Sequence, residues 1–265
     1  MTDIDNTSAC KTGVAESSLL NGRVRLLQSR DGYRAGMDAA LLAAAVNAKP
    51  AHSVIEAGCG AGAVLMQIAA RRPDVTLTGL ERDVGAADLA RQNTVLNGFN
   101  DRIEIITGEV SQILSPAQDR PKASAPISNQ SFDWAVSNPP FFDDPRALRL
   151  PTPAKRGAWI AEDGLSVWCD FLTRAVRDGG SIIMIHRADR LADLLSLLGT
   201  RSGSFSILPI QSFSQSPAKR VLVKAIRSGR APLRLLPALI LHDHSGSKHT
   251  PEAEAILRGE AALDL

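Results

Sequence analysis

The stretch Ser53–Arg72, SVIEAGCGAGAVLMQIAARR, decides how the rest of the chain is organised. Its first residues, SVIEAG, form a short apolar run of the kind that becomes a buried strand. Gly58, Gly60 and Gly62 follow at alternate positions, and AVLMQIAARR then repeats its apolar residues at helical spacing. Glycines between a strand and a helix permit a tight turn with no Cβ facing a ligand, so backbone can approach a bound molecule closely. The same grammar recurs downstream. VTLTGLE (Val75–Glu81) reads as a strand and VGAADLARQNTVLNG (Val84–Gly98) as a helix closed by glycine. RIEIITGE (Arg102–Glu109) and FDWAVSN (Phe132–Asn138) read as strands, GLSVWCDFLTRAVRDGG (Gly164–Gly180) as an amphipathic helix, and SIIMIHR (Ser181–Arg187) as another strand. Strands alternating with helices predict an α/β fold with a doubly wound, mostly parallel, Rossmann-like sheet.

The two ends depart from this pattern. FSILPIQSF, RVLVKAIRSG and LRLLPALILHD, between Phe205 and Asp243, read as strands with little helix between them. They are expected to build an antiparallel C-terminal edge on the same sheet. Upstream, RVRLLQSRDGYRAGMDAALLAAAV (Arg23–Val46) predicts a short strand or hairpin and then a helix from about Met37. Residues 1–20 are polar and lack the apolar centre of a secretory signal, so they are expected to be a disordered arm, with one domain over 21–265. The Pro- and Ser-rich run around Pro116–Gln130 reads as a surface insertion.

Composition bounds the function. Hydrophobic residues at 44% and charged residues at 22% are enough for a real core, while aromatics at 4% leave the packing to aliphatic side chains. The net charge of +2 is too small to require a polyanionic partner, so the placement of the cations matters more than their sum. Cys10, Cys59 and Cys169 are dispersed, with no CxxC pair and no histidine at metal spacing. This argues against a disulfide framework or a zinc site and suits a cytoplasmic protein. No apolar run reaches the ~20 residues of a membrane helix.

Three acids accompany the glycine loop. Glu56 stands just before it, and Glu81 and Glu109 sit at the ends of the next two strands. In a parallel sheet all three share the edge that carries the loop. Glu81 lies about 20 residues beyond the glycines, the spacing at which an acid accepts hydrogen bonds from ribose hydroxyls. GCGAGA (Gly58–Ala63) also satisfies a loose dinucleotide pattern, so a nicotinamide oxidoreductase has to be weighed. Glu56 argues against that: it would repel a pyrophosphate but suit the cationic amino-acid end of S-adenosylmethionine (SAM).

SNPPFF (Ser137–Phe142) discriminates further. A proline pair cannot continue a strand, and here it fixes an asparagine at a strand end with an aromatic ring behind it. VIEAGCGAG, LTGLE, IITGE and FDWAVSNPPFF occur in the order and spacing of class I SAM-dependent methyltransferases with an NPPF/NPPY motif. More narrowly, the chain resembles the methyltransferase small-domain group, and within it the tRNA1(Val) N6-adenine methyltransferases. GYRAGMDAALLAAAV (Gly32–Val46) and HTPEAEAILRG (His249–Gly259) extend the likeness. The resemblance implies SAM as cofactor, held by Asp38, Glu56, Gly58, Gly60, Gly62, Glu81 and Glu109. It implies Asn138, Pro139, Pro140 and Phe141 as catalytic residues, with no metal.

The chemistry suits those residues. An exocyclic base amine is a poor nucleophile because its lone pair is delocalised. Two acceptors, the Asn138 side-chain oxygen and the Pro139 carbonyl, would draw it towards tetrahedral geometry, while Phe141 stacks on the base. Arg146, Arg149, Lys155 and Arg156 follow directly and would contact RNA phosphates, most readily those of tRNA. Arg201, Lys219, Arg220, Lys224, Arg227, Arg230 and Arg234 form a second basic group, as compatible with a solvated face as with RNA. A guanine-N2 rRNA methyltransferase remains the nearest alternative and a protein-glutamine N5 methyltransferase a further one. The glutamine enzymes usually carry tyrosine where Phe141 stands, and a helical N-terminal domain.

Overall fold

A computed structural model of the chain describes residues 13–30, 35–113, 127, 129–140, 164–243 and 248–265. It begins with an antiparallel hairpin, β1 (Val14–Leu19) and β2 (Val24–Ser29). This corrects the expected disordered arm over Val14–Leu19; residues 1–12 lie outside the described residues. A lone two-stranded hairpin is marginal in water. Here Leu20, Val24 and Leu26 are fully buried against the main core, contributing on the order of 5 kcal/mol. Asparagines on the neighbouring helix then stitch the hairpin down. Asn93 Oδ1 accepts from Leu27 N (2.7 Å) and its Nδ2 donates to Leu27 O (2.9 Å), while Asn97 bonds both backbone groups of Arg25.

The chain continues through α1 (Met37–Ala44), β3 (Ser53–Ala57), α2 (Ala63–Arg71), β4 (Thr76–Glu81), α3 (Val84–Leu96) and β5 (Ile103–Thr107). Next come α4 (Val110–Ile113), β6 (Phe132–Ser137), α5 (Gly164–Ala175), β7 (Val176–Arg187) and α6 (Leu191–Leu198). The last elements are β8 (Ser202–Gln211), β9 (Arg220–Arg227), β10 (Arg234–Leu235), β11 (Leu239–Ile240) and α7 (Pro251–Arg258). The main sheet has the order β10-β8-β9-β7-β6-β3-β4-β5, with β11 also paired to β8. Its strands are parallel except β9, which runs antiparallel between β7 and β8. The expected antiparallel edge is therefore corrected in part: β10 and β11 are two-residue strands parallel to β8. Pro232 precedes LRLLPALILHD and Pro237 interrupts it, which leaves no room for a longer ladder.

Successive strand residues feed opposite faces of the sheet, as the pleat requires. Val54, Trp134, Val136, Ile183 and Ile185 meet α1, α2 and α7 on one side. Ile55, Ala57, Ala135, Ile182 and Met184 meet α5 and α6 on the other. Cover on both faces explains why these strands read as continuous apolar runs. No helix among the described residues is long and apolar enough to cross a membrane.

Candidate active site

The winding of the sheet reverses at β3. The chain runs outward from β3 to β4 and β5, then returns to the other side of β3 for β6 and β7. Open α/β sheets bind ligands in the crevice outside the carboxyl ends of strands at such a reversal. The glycine loop leaves β3 there and Asn138 leaves β6 there. Ala57 and Ser137 are register partners, and Ser137 Oγ donates to Ala57 O at 2.9 Å. Gly58 and Asn138 thus follow paired residues on strands about 4.8 Å apart. Asn138 is half-buried with a buried Oδ1, and Pro139 is buried.

Gly58, Gly60 and Gly62 have φ of +69°, +54° and +84°, a region that side chains disfavour. Their surroundings differ. A Cβ at Gly60 would meet nothing within 4 Å, so the loop faces open space there. A Cβ at Gly58 would stand 2.6 Å from Trp168 Cη2, so Gly58 is bare because the indole of α5 lies against it. Trp168 Nε1 is buried and has no hydrogen-bond partner among the described residues.

Glu81 shapes the loop as well as lining it. One carboxylate oxygen accepts from Gly60 N (2.8 Å) and the other from Asp83 N (2.9 Å). Glu56 is 2% exposed, and its Oε2 has no hydrogen-bond partner among the described residues. Burial pushes its carboxyl well above the ordinary range, the nearby Glu81 charge adds to this, and the Leu65 N–H opposes it. A buried acid beside a second acid is costly unless a cation arrives. The orphaned oxygen therefore fits a ligand with a positive group. Burial, followed by the charges of Glu56 and Glu81, also pushes the Cys59 thiol up, which leaves it protonated and unsuited to nucleophilic chemistry. Glu109 lies two residues beyond Thr107, the register partner of Glu81, and so shares the edge. Asp38, in the first turn of α1, forms an ion pair with Arg220 at the start of β9 (3.2 Å).

The structure thus gathers Glu56, Gly58, Gly60, Gly62, Glu81, Glu109, Asn138, Pro139 and Pro140 at one switch point. Phe141, Arg146, Arg149, Lys155 and Arg156 lie outside the described residues. The second basic group does not form one surface. Lys219 and Arg220 lie at the carboxyl edge, whereas Arg201 and Arg227 lie at the opposite edge, facing Asp170 (3.7 Å) and Asp178 (2.9 Å). Lys224 turns inward over the Trp134 ring and donates to Leu265 O. Strand direction scatters residues that adjoin in sequence.

Two contributors escaped sequence reasoning. Trp168 carried no signal, because only the docking of α5 brings it to Gly58. Asn93 left a weak one, a polar residue in line with the buried Ala87 and Ala90 of α3. Its Nδ2 also donates to Ala61 O (2.9 Å), which ties the glycine loop to the hairpin.

Comparison with known proteins bears on the family and the fold. Residues 34–150 match the family model of the methyltransferase small domain. A tRNA1(Val) (adenine(37)-N6)-methyltransferase from Porphyromonas gingivalis is 29% identical over 203 residues, covering 74% of this chain and 75% of that protein. A release factor glutamine methyltransferase from Rhodopirellula baltica is 26% identical over 165 residues, covering 59% of this chain and 51% of that protein. The crystal structure of a predicted O-methyltransferase from Agrobacterium tumefaciens superimposes with a TM-score of 0.71 at 28% identity, covering 86% of this chain and 99% of that one.

Proposed function

We propose that this chain, a SAM-dependent methyltransferase of the methyltransferase small-domain group, methylates the exocyclic N6 amine of an adenine in tRNA. The observation that carries the proposal is the placement of Asn138 beside the glycine loop at the switch point. The substrate class is supported by relatives named as tRNA1(Val) (adenine(37)-N6)-methyltransferases. A tRNA substrate places the activity in the cytoplasm.

SAM supplies, when bound, a methyl group activated on a sulfonium centre. The chain supplies binding and alignment. Glu56 would hold the cationic amino-acid end with its buried carboxylate, Glu81 would accept from the ribose hydroxyls, and Glu109 would serve the adenine end. Gly60 keeps a side chain out of that space, Gly58 and Gly62 let the loop turn tightly against Trp168 and against Met66 and Ala90, and Asp38 closes the site from α1. Asn138 Oδ1 and the Pro139 carbonyl each accept one N–H of the target amine, which turns its lone pair out of the base plane. Pro139 and Pro140 fix φ, so little freedom is lost when these acceptors align. Phe141 stacks on the base, and Arg146, Arg149, Lys155 and Arg156 neutralise flanking phosphates. The amine's second proton leaves to water after transfer, so no histidine or cysteine base is needed.

The test is to incubate the purified chain with radiolabelled SAM and either bulk tRNA or rRNA, then digest the products to nucleosides. Label in N6-methyladenosine from tRNA is expected. Label in N2-methylguanosine from rRNA would assign the same site to guanine. Label that enters a release factor and neither RNA would assign it to glutamine.

A further inference from the structure

The cavity at the outer end of the carboxyl edge has no part in the site described above. It is an open cleft of about 540 Å³ between the turn that follows β8 and residues His242, Asp243 and Lys248. Phe213 and His242 line it, their rings tilted by 42° with centroids 5.5 Å apart, and His249 stacks on His242 at 5.1 Å and 27°. His242 Nδ1 lies 2.5 Å from the Lys248 carbonyl oxygen, an atom that can only accept, so Nδ1–H donates and the ring plane is fixed. Lys219 and Lys248 line the same cleft and are exposed, and Asp243 is the one carboxylate on its wall among the described residues. In a chain with 4% aromatic residues, Phe213 is 40% exposed. It is the one ring among the exposed large apolar side chains of the described residues.

We propose that the exposed Phe213 ring, backed by His242 and flanked by Lys219 and Lys248, holds an unpaired nucleotide of the substrate RNA a few positions from the target base. This rests on the RNA assignment given above. Single-stranded RNA is recognised by splayed bases stacked on Phe, Tyr, Trp or His, with nearby cations on the phosphates. The cavity supplies both. Its position supplies the rest: β8 lies three strands from β6 in the sheet, about 14 Å at ordinary strand spacing, and both ends open on the same edge. A strand of RNA that places one base at Asn138 can therefore lay a base a few nucleotides away on Phe213. The stack reads no Watson–Crick edge, so it secures the loop without choosing the base.

The test uses a fluorescently labelled tRNAVal transcript. Its anisotropy is followed over a range of KCl concentrations with the full-length protein, and SAM affinity and thermal melting are measured alongside. Phe213→Ala should weaken tRNA binding about tenfold or more, and Phe213→Trp should restore it. Lys219→Ala with Lys248→Ala should make the slope of log Kd against log salt shallower by about 0.7–0.9 per lysine. SAM affinity should stay at the wild-type value throughout. If the wild type binds and methylates tRNA while Phe213→Ala keeps wild-type affinity and the double lysine variant keeps the wild-type salt slope, the stack is overturned and the enzyme assignment stands. A wild-type chain that methylates a protein and binds no tRNA overturns both.

Discussion

On the β3–β4–β5 side of the switch point, the carboxyl edge of the sheet presents Glu56, Glu81 and Glu109. On the β7–β9–β8 side it presents Lys219, together with Arg187 and Arg220, which are ion-paired with Asp189 and Asp38. The two halves differ in rigidity of design as well as in sign. The acidic half is built from backbone: positive-φ glycines, a loop amide held by Glu81, and an asparagine that ties the loop to the hairpin. The basic half is built from side chains on strand ends and turns. A cationic cofactor needs one small, fixed, desolvated pocket, whereas a polyanion needs distributed charge that remains in water. Asn138 stands at the boundary, where a methyl group from one half would meet an amine held by the other.

Alterations to the acidic half should sharpen this contrast. Gly60→Val has the largest expected effect. A β-branched residue at φ +54° is strained, and its side chain enters the one loop position with open space, so calorimetry should show SAM binding lost by more than about 100-fold. Asn93→Leu comes next. It strips buried partners from Leu27 and Ala61 and should cost about 3 kcal/mol, lowering the melting temperature by roughly 6–12 °C.

Glu56→Gln has the smallest effect and the most telling sign. The folded carboxyl holds its proton more tightly than the unfolded one does, chiefly through burial. Its stabilising contribution is complete below about pH 4 and is lost as pH rises through the raised folded value. Removing the carboxyl should therefore raise the melting temperature of the ligand-free chain relative to wild type at pH 8 more than at pH 4, while SAM affinity falls. A residue that costs stability at neutral pH and is needed for the cofactor marks a binding site; loss of stability at pH 8 would make Glu56 an ordinary structural group.

The acidic half was also the more legible of the two. Glycines, proline pairs and acids at strand ends are local signals, and the parallel alternation places them on one edge without further information. The basic half was obscured because its meaning depends on strand direction: Lys219 and Arg227 lie eight residues apart in sequence and at opposite edges in space. β1 was missed for a related reason. VAESSL alternates exposed with half-buried residues, carries no core of its own, and is ordered through β2 and the asparagines of α3. The helix α7 was quoted only as part of a resemblance, although the Thr250 cap, Pro251 in the first turn and Gly259 at φ +78° spell its limits.

The most direct test of the boundary role is Asn138→Ala, with SAM binding followed by calorimetry and methyl transfer to tRNA followed at saturating SAM. SAM affinity within about twofold of wild type and turnover reduced by more than about 100-fold are expected, because the proposed mechanism assigns the lost acceptor to the amine and not to the cofactor. Loss of SAM binding with the remaining turnover unchanged per bound cofactor would place Asn138 in the acidic half and contradict the division.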